Sequence, residues 1–518
     1  MKWPLPRTRG GLLDRRLFNP ANNHDPRALA QAATWPNRRM KSNKRTAKRL
    51  CMTEYETVIG LETHIQLNTN TKIFCSCKAD SWNDPPNTNI CPVCTGLPGV
   101  LPVLNEAVVE KAVLLSAAMH AEIRPQSFFD RKNYFYPDLP KGYQISQYDL
   151  SIGRGGYVDL PVPAEAHGTN GGYICHISIT KLHLEEDAGK TKNQGGERWI
   201  DFNRCGVPLI EMVTGPDLRS ADEAAQYLIR LRQLLRWLGI SDADMDKGQL
   251  RCDANVSIRP KGATYLNSKT EIKNVNSIEA VREAILKEVE RQIREVEAGR
   301  RIEAWTLEWD EDAGVLRKMR SKETEADYRY FREPDLLSVH MDEAWKASIL
   351  KDFPELPLER KARFISAYHL PEYDAEILTG ERRLSDYFES AVKNYNGDPK
   401  RISNWMMNDV LRMINDQSLN PAEMNLTPAH LADIIKLVDS GTINANTGKS
   451  LLEKVQNTRR SPAEIVQAEG LARVSDDATI RSACADVLAE SSKEVSAYKS
   501  GKTTLIGWFV GQVMKKMR

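Results

Sequence analysis

Residues 57–67 alternate between two sides, broken only by Val58 and Thr63. Ile59, Leu61, Ile65 and Leu67 share one face of an extended chain, while Glu62 and His64 share the other. A strand written this way is half-buried, so the chain must supply sheet neighbours and an apolar cover for one face only. Further strand candidates lie around residues 175–186 and 251–258, with turns at Gly171-Gly172 and Gly195-Gly196. In Arg251-Cys252-Asp253-Ala254-Asn255-Val256-Ser257-Ile258, Asp253, Asn255 and Ser257 fall on one side and Ala254, Val256 and Ile258 on the other.

Two helices are marked in the same region. Ser220-Ala221-Asp222-Glu223 is written as a capping box, followed by Ala224, Tyr227, Leu228, Leu231, Leu234, Leu235 and Leu238, with Gly239 placed to end the helix. A second helix runs from Ser277 to about residue 297, with Gly299 after it. Both apolar stripes are core packing. From about Asp342 the strand signals fade, and helical stretches at 356–368, 384–395, 429–438 and 463–469 take over between Pro and Gly. The expectation is an α+β fold: a mixed α/β domain over 54–340 after a leader at 1–53, a helical linker domain at 341–400, and a small all-helical tail at 401–518. The last boundary is placed near 396–405.

No run approaches the roughly 20 apolar residues of a membrane span, so no membrane partner is expected. Residues 1–51 hold 13 of the 72 Lys and Arg but only two of the 70 acids, Asp14 and Asp25, which leaves the remainder with nine more acids than bases. Such a body cannot hold RNA through bulk charge and needs a local basic surface. The leader reads either as an Arg-rich transit peptide or as a segment upstream of a true start at Met52. Its single serine, Ser42, favours the second reading. A cytoplasmic location is expected, with a mitochondrion or plastid as the alternative.

Nine cysteines in 518 residues do not describe a secreted disulfide scaffold. Cys75-Ser76-Cys77, then 13 residues, then Cys91-Pro92-Val93-Cys94 has the spacing of a structural Zn²⁺ site. Four free thiols in loops are the alternative. Two pairs within 20 residues favour zinc, and a full set of four thiolates leaves no open position for catalysis. Glu62, His64, Glu185-Glu186-Asp187 at a strand end, Glu211 after Val207-Pro208-Leu209-Ile210, and Asp253 with its neighbours make a scattered set of hard ligands. Such a set suits Mg²⁺ holding nucleotide phosphates; the alternative is a set of solvated strand faces. Asn446-Thr447-Gly448-Lys449-Ser450 imitates a P-loop, but that motif needs Gly at position 443, which is Ile. It reads as a helix start. Residues 130–147 mix charge, aromatics and Pro as a site-lining loop or RNA-facing surface would.

Six segments occur in a telling order: Val58-Ile59-Gly60-Leu61-Glu62-Thr63-His64, residues 130–147, Leu182-His183-Leu184-Glu185-Glu186-Asp187-Ala188-Gly189-Lys190, residues 201–211, residues 251–258, and Asp327-Tyr328-Arg329-Tyr330-Phe331. Over residues 54–518 their order and wording resemble the B subunits of glutamyl/aspartyl-tRNA amidotransferases. The resemblance implies a cradle-like α/β catalytic domain, a tail that contacts the tRNA body, and a heterotrimer with a glutaminase A subunit and a small C subunit. It also implies an ATP-dependent carbon–nitrogen ligase with glutamine as amido donor. Glu or Asp misacylated on tRNA(Gln) or tRNA(Asn) is phosphorylated at its side chain and then amidated by ammonia from the glutaminase.

Carried over by position, His64, Glu186 and Glu211 resemble the Mg²⁺ shell, with Glu62 and Asp253 beside it. Asn255, Ser257, Glu271 and Lys273 are candidates for touching ATP or the acceptor end, and Lys132 and Tyr134 for lining the ammonia route. Zn²⁺ at Cys75, Cys77, Cys91 and Cys94 is compatible with the family. Residues 1–51 have no counterpart in its usual start, and Gly507-Trp508-Phe509-Val510-Gly511-Gln512-Val513-Met514 resembles its closing motif. Members usually continue further, which bears on tRNA docking and not on activation. No Ser or Cys constellation for glutamine hydrolysis is present, so the isolated chain is expected not to use glutamine. A noncatalytic tRNA-binding scaffold and a ligase of small carboxylates are the competing classes.

Overall fold

Alternation in residues 55–66 produces the strand at the middle of the main sheet. In the computed structural model, which describes residues 54–163, 172–321, 328–472 and 477–516, β1 (Tyr55–Gln66) buries Ile59, Leu61 and Ile65 and turns Glu62 and His64 to the other face. The leader at 1–53, Gly171 and Asp327 lie outside the described residues. β1 pairs antiparallel on both sides, so its two faces rather than its edges are what remain to be covered.

The other principal strands are β2 (Tyr173–Glu186), β3 (Pro208–Thr214), β4 (Leu250–Pro260), β5 (Thr270–Val275), β6 (Trp305–Asp310) and β7 (Val315–Ser321). Their order across the sheet is β7-β6-β5-β4-β1-β3-β2, extended beyond β2 by the short strands Gly153–Arg154 and Glu122–Ile123. Only β5 and β6 run parallel. A parallel pair needs a crossover, which the helix between them supplies.

The covering helices are α1 (Glu106–Ala118), α2 (Ala221–Trp237) and α3 (Ile278–Glu297). Ser220 Oγ accepts from the Glu223 N–H at 3.1 Å, and the Glu223 carboxylate accepts from the Arg219 N–H at 2.5 Å, one residue before the expected box partner. Leu228, Leu231 and Leu235 of α2 and Val281 and Ile285 of α3 share one core with Ile59, Leu61 and Ile65. Each such fully buried side chain contributes about 1.5–3 kcal/mol. One face of the sheet is therefore spent on the core, and its polar face is left for chemistry.

The first compact unit extends to Arg360, and a second begins at Lys361. Residues 341–360, expected in the helical linker, belong to the first: Trp345, Ile349 and Phe353 pack on its core, and Trp237 Nε1 donates to the Glu355 carbonyl at 3.0 Å. The boundary expected near 396–405 does not divide the second unit. Phe388, Met406 and Ile435 lie in one core, and the Tyr387 hydroxyl donates to the Leu426 carbonyl at 2.8 Å. The signal there is a turn: Asn396 ends a helix in the left-handed conformation (φ 54°), and Asp398 caps the next, which begins at Pro399.

The P-loop imitation is a helix start. Asn444 accepts from the Thr447 N–H at 2.9 Å at the head of Ala445–Thr458. Gly448 has a packing reason. A methyl group there would stand 2.8 Å from Val438 Cγ2 and 2.9 Å from Trp405 Cη2. Gly448→Ala is accordingly expected to destabilise the helical unit by about 1–3 kcal/mol in urea unfolding. Helix propensity alone would stabilise it by roughly 1 kcal/mol, so a stabilised variant would refute the contact. Further along, Asp477–Glu490, Ser492–Lys499 and Leu505–Lys516 are three short helices that touch one another, with Tyr498 edge-on to Phe509. No helix among the described residues is long and apolar enough to cross a membrane.

Candidate active site

The polar face of the sheet carries a continuous row of ionisable groups because registers align them. His64 stands opposite Glu211, Glu211 opposite His183, Glu62 opposite Asp253, and Asn255 opposite Glu271. Neighbouring strands lie about 4.8 Å apart, so side chains from β5, β4, β1, β3 and β2 meet. Glu211 is the hub. Its Oε2 lies 3.2 Å from His183 Nε2 and 3.6 Å from His64 Nε2. Glu62 Oε1 is 3.7 Å from His64 Nε2, and Glu185 Oε2 is 3.8 Å from His183 Nε2.

Burial opposes charge on every member of this cluster, and their mutual attraction overrides it for most. Burial alone would neutralise the histidines, yet the Glu211 and Glu185 carboxylates raise His64 and push His183 up to about 9. Burial likewise lifts Glu211, but His183 and His64 hold it well below the usual carboxylate range. Glu62 goes the other way: burial and the neighbouring Glu211 charge raise it. Glu62, His64 and Glu211 offer ligand atoms within 4.8 Å of one another, as do His183, Glu185 and Glu211. Each trio sets two carboxylates, hard donors that suit Mg²⁺, beside one imidazole, and the Glu211 repulsion that adds to burial in raising Glu62 is what a cation would relieve. His183 Nδ1 is buried without a hydrogen-bond partner.

On one flank, Lys273 pairs with Asp253 and lies 3.3 Å from Glu271, which accepts from Thr306 Oγ1 at 3.1 Å. Asn255 Oδ1 has no hydrogen-bond partner, and Ser257 is buried. On the other flank, Lys132 comes from the strand Asp130–Asn133, its Nζ 5.0 Å from the Tyr328 ring and 5.8 Å from the Tyr134 ring. Burial lowers the Lys132 pKa, but Glu185, Tyr330 and Glu211 outweigh it and keep the ammonium charged. The Tyr134 hydroxyl donates to Gln144 Oε1 at 3.2 Å, and burial raises its pKa.

Glu186 does not join this set. Side chains alternate along β2, so Glu185 shares the face of His183, and Glu186 takes the face of Leu184. Its carboxylate accepts from Lys141 and from the Ile145 N–H at 2.9 Å. It lines a cleft of about 210 Å³ with Cys75, Cys94 and Gly96. Asp187 accepts from Gln66 Nε2 at 2.8 Å and lies 3.0 Å from Arg251 Nη2 and 3.5 Å from Arg204 Nε. Burial raises its pKa, and the arginines bring it below the usual value.

The sulfurs of Cys75, Cys77, Cys91 and Cys94 lie within 4.8 Å of one another. A tetrahedral Zn²⁺ with Zn–S bonds of about 2.3 Å needs sulfurs about 3.8 Å apart, so a small contraction accommodates it. Lys72 is buried beneath them, its Nζ 3.8 Å from Cys94 Sγ and donating to the Asn89 carbonyl at 2.9 Å. Without an ion, a hydrogen bond from Cys75 brings Cys94 down to about 5, while burial pushes Cys77 up to about 11. A site holding one ready thiolate beside a lysine favours metal capture.

Sequence profiles agree with this architecture. The GatB/GatE catalytic domain matches residues 57–347, and the GatB domain matches residues 386–518. The B subunit of the aspartyl/glutamyl-tRNA(Asn/Gln) amidotransferase of Thermodesulfovibrio yellowstonii is 49% identical over 463 residues, covering 89% of this chain and 95% of the relative. The chain belongs to the GatB family. The B subunits from Persephonella marina, 46% identical over 90% of this chain and 96% of the relative, and from Chlorobaculum tepidum, 47% identical over the same shares, agree. In this GatB-family chain the sequence reading includes Glu185 among the hard ligands but carries Glu186 into the metal shell, and the site residue it misses is His183. The signal for His183 is present: His183-Leu184-Glu185 repeats the alternation of Glu62-Thr63-His64, and parity alone separates Glu185 from Glu186.

Proposed function

We propose that this chain is the activating subunit of a tRNA-dependent amidotransferase. ATP phosphorylates the side-chain carboxylate of Glu or Asp esterified to tRNA(Gln) or tRNA(Asn), and ammonia then displaces phosphate to give Gln-tRNA or Asn-tRNA. The relatives' names support the substrate class, and the observation that carries the chemistry is the buried carboxylate–histidine cluster centred on Glu211. A carboxylate is a poor electrophile. Its oxygen attacks the γ-phosphorus, ADP leaves, and the resulting acyl phosphate reacts with ammonia by loss of phosphate.

Mg²⁺ held by Glu62, His64 and Glu211, or by Glu211 with Glu185 and His183, would offset the charge of the ATP phosphates. Lys273, Asp253, Asn255, Ser257 and Glu271 form the adjoining polar floor for nucleotide or acceptor end. Lys132 and Tyr134 line the approach of ammonia from a glutaminase A subunit, in a complex completed by a small C subunit, and Zn²⁺ at the four cysteines is structural. In the reconstituted complex supplied with ammonium in place of glutamine, phosphate release and Gln-tRNA formation are expected to run in equal amounts. Free glutamate should support neither. ATP consumption with free glutamate would point to a small-carboxylate ligase, and no ATP consumption with Glu-tRNA would sink the activating role.

A further inference from the structure

Outside residues 1–51 the chain carries nine more acids than bases, so the RNA substrate of the proposed reaction needs a local cationic surface. A two-stranded hairpin offers one. Lys190–Gln194 pairs antiparallel with Glu197–Asp201, beginning four residues after β2 ends. At about 3.4 Å per residue its root lies within roughly 15 Å of the strand end that carries Glu185. Trp199 stands opposite Lys192, and Asp201 opposite Lys190. Alternation therefore puts Lys190, Lys192 and Trp199 on one face.

Trp82, from the cysteine loop, adds to that face, with Lys190 Nζ 5.7 Å from its ring centroid. Trp82 and Trp199 are 53% and 59% exposed, although tryptophan is a large apolar group normally covered. The acids at the root are already engaged: Asp201 accepts from the Asn87 and Asn203 N–H groups, each at 3.0 Å, and Asp138 accepts from Thr191 Oγ1 at 3.0 Å, while Glu197 shares the face at its far end, opposite Gln194. Arg204 braces the root by donating to the Ala188 and Gly189 carbonyls at 2.9 and 2.7 Å. Burial, Lys192 and Arg204 together lower the Lys190 pKa, which reports cations crowded on this side.

We infer that the hairpin face of Lys190, Lys192 and Trp199, with Trp82, binds the aminoacyl-tRNA, the lysines on backbone phosphates and the tryptophans stacking on unpaired bases. The inference rests on the proposed activity. Cations that track a backbone, interleaved with aromatics that stack on any base, make up the chemistry of sequence-tolerant single-strand binding.

The test measures Glu-tRNA binding to the reconstituted complex between about 50 and 200 mM salt, the range in which phosphate contacts are lost. Lys190→Ala/Lys192→Ala is expected to weaken binding about tenfold and to reduce the slope of log affinity against log salt by roughly 1.5. Trp199→Ala should weaken binding about tenfold with the slope unchanged. Lys192→Glu should weaken it further. All three should keep kcat at saturating tRNA and KM for ATP, because these exposed side chains lie outside the activating cluster.

Wild-type affinity and slope in the variants would overturn the inference, as would loosened subunit assembly with intact tRNA binding, which would mark a protein contact instead. A wild-type complex that binds tRNA and loses affinity in the variants, yet makes no amidated product, would leave this surface standing and remove the activating role. A wild-type complex that binds no tRNA would overturn both.

Discussion

Glu211→Gln is expected to lower ammonium-dependent Gln-tRNA formation by the reconstituted complex about a thousandfold in kcat, with the fold retained. The substitution keeps the shape of the side chain and removes the carboxylate charge that lies close to both histidines, 3.2 Å from His183 and 3.6 Å from His64. Loss of a single preorganised electrostatic contact to a developing charge costs roughly 10²–10³ in rate. Loss of the hub of a cation-binding set should stand at the upper end.

The same variant carries an internal check. The Glu211 charge is the largest influence holding His183 up to about 9 against its burial, so imidazole NMR should show that titration moving down. In the metal-free cluster the Glu211 charge favours the protonated ring, and His183 is expected to lose its proton as pH rises through about 9. In the variant, burial prevails and the ring deprotonates earlier. An unchanged kcat with a shifted His183 would separate the electrostatics of the cluster from catalysis and remove Glu211 from the reaction.

Withdrawal of metal from the four-cysteine cluster is the second large effect. The complex should contain one zinc per copy of this chain by elemental analysis. Cys77→Ser/Cys91→Ser should destabilise the first unit by about 4 kcal/mol or more, in the range reached by loss of a structural metal. The loop has little apolar core of its own and is tied to the site by specific bonds. Asn203 Oδ1 accepts from the Asn89 N–H at 2.8 Å, Asn203 Nδ2 donates to the Pro85 carbonyl at 2.7 Å, and the Ile73 N–H donates to the Gly206 carbonyl at 2.9 Å. Gly206 leads directly into β3 and Glu211. Chelation should therefore expose residues 78–104 to protease before the rest of the unit, and activity should fall with them. Four freely titratable thiols, no zinc and an unaltered melting temperature would assign these cysteines to ordinary loop positions.

Much of the site is legible in the sequence because a strand's period of two is enforced by the backbone itself. Glu62 and His64 opposite an apolar face, and Asp253, Asn255 and Ser257 opposite Ala254, Val256 and Ile258, occupy those faces in the structure. Position in a recognised motif groups Glu186 with His64 and Glu211, whereas parity along β2 puts Glu185 there instead. The helical region misleads differently. A left-handed Asn396 followed by Asp398-Pro399 carries the same local signals whether the chain leaves a domain or turns back into its own core, and only the packing of Phe388 on Ile435 distinguishes the two.

Which side chains share a strand face, where helices begin and end, and how four cysteines are spaced in a short loop are all written locally in the chain, and the order of its motifs carries the family. Backbone geometry, capping and spacing set these properties within a few residues. That residues 64, 211 and 183 meet in one row, and that residue 186 stands apart from them, emerges only in the folded sheet. Cross-strand register is a long-range quantity: it depends on how the whole apolar face of the sheet seats against α2 and α3, and no short window of sequence contains that information.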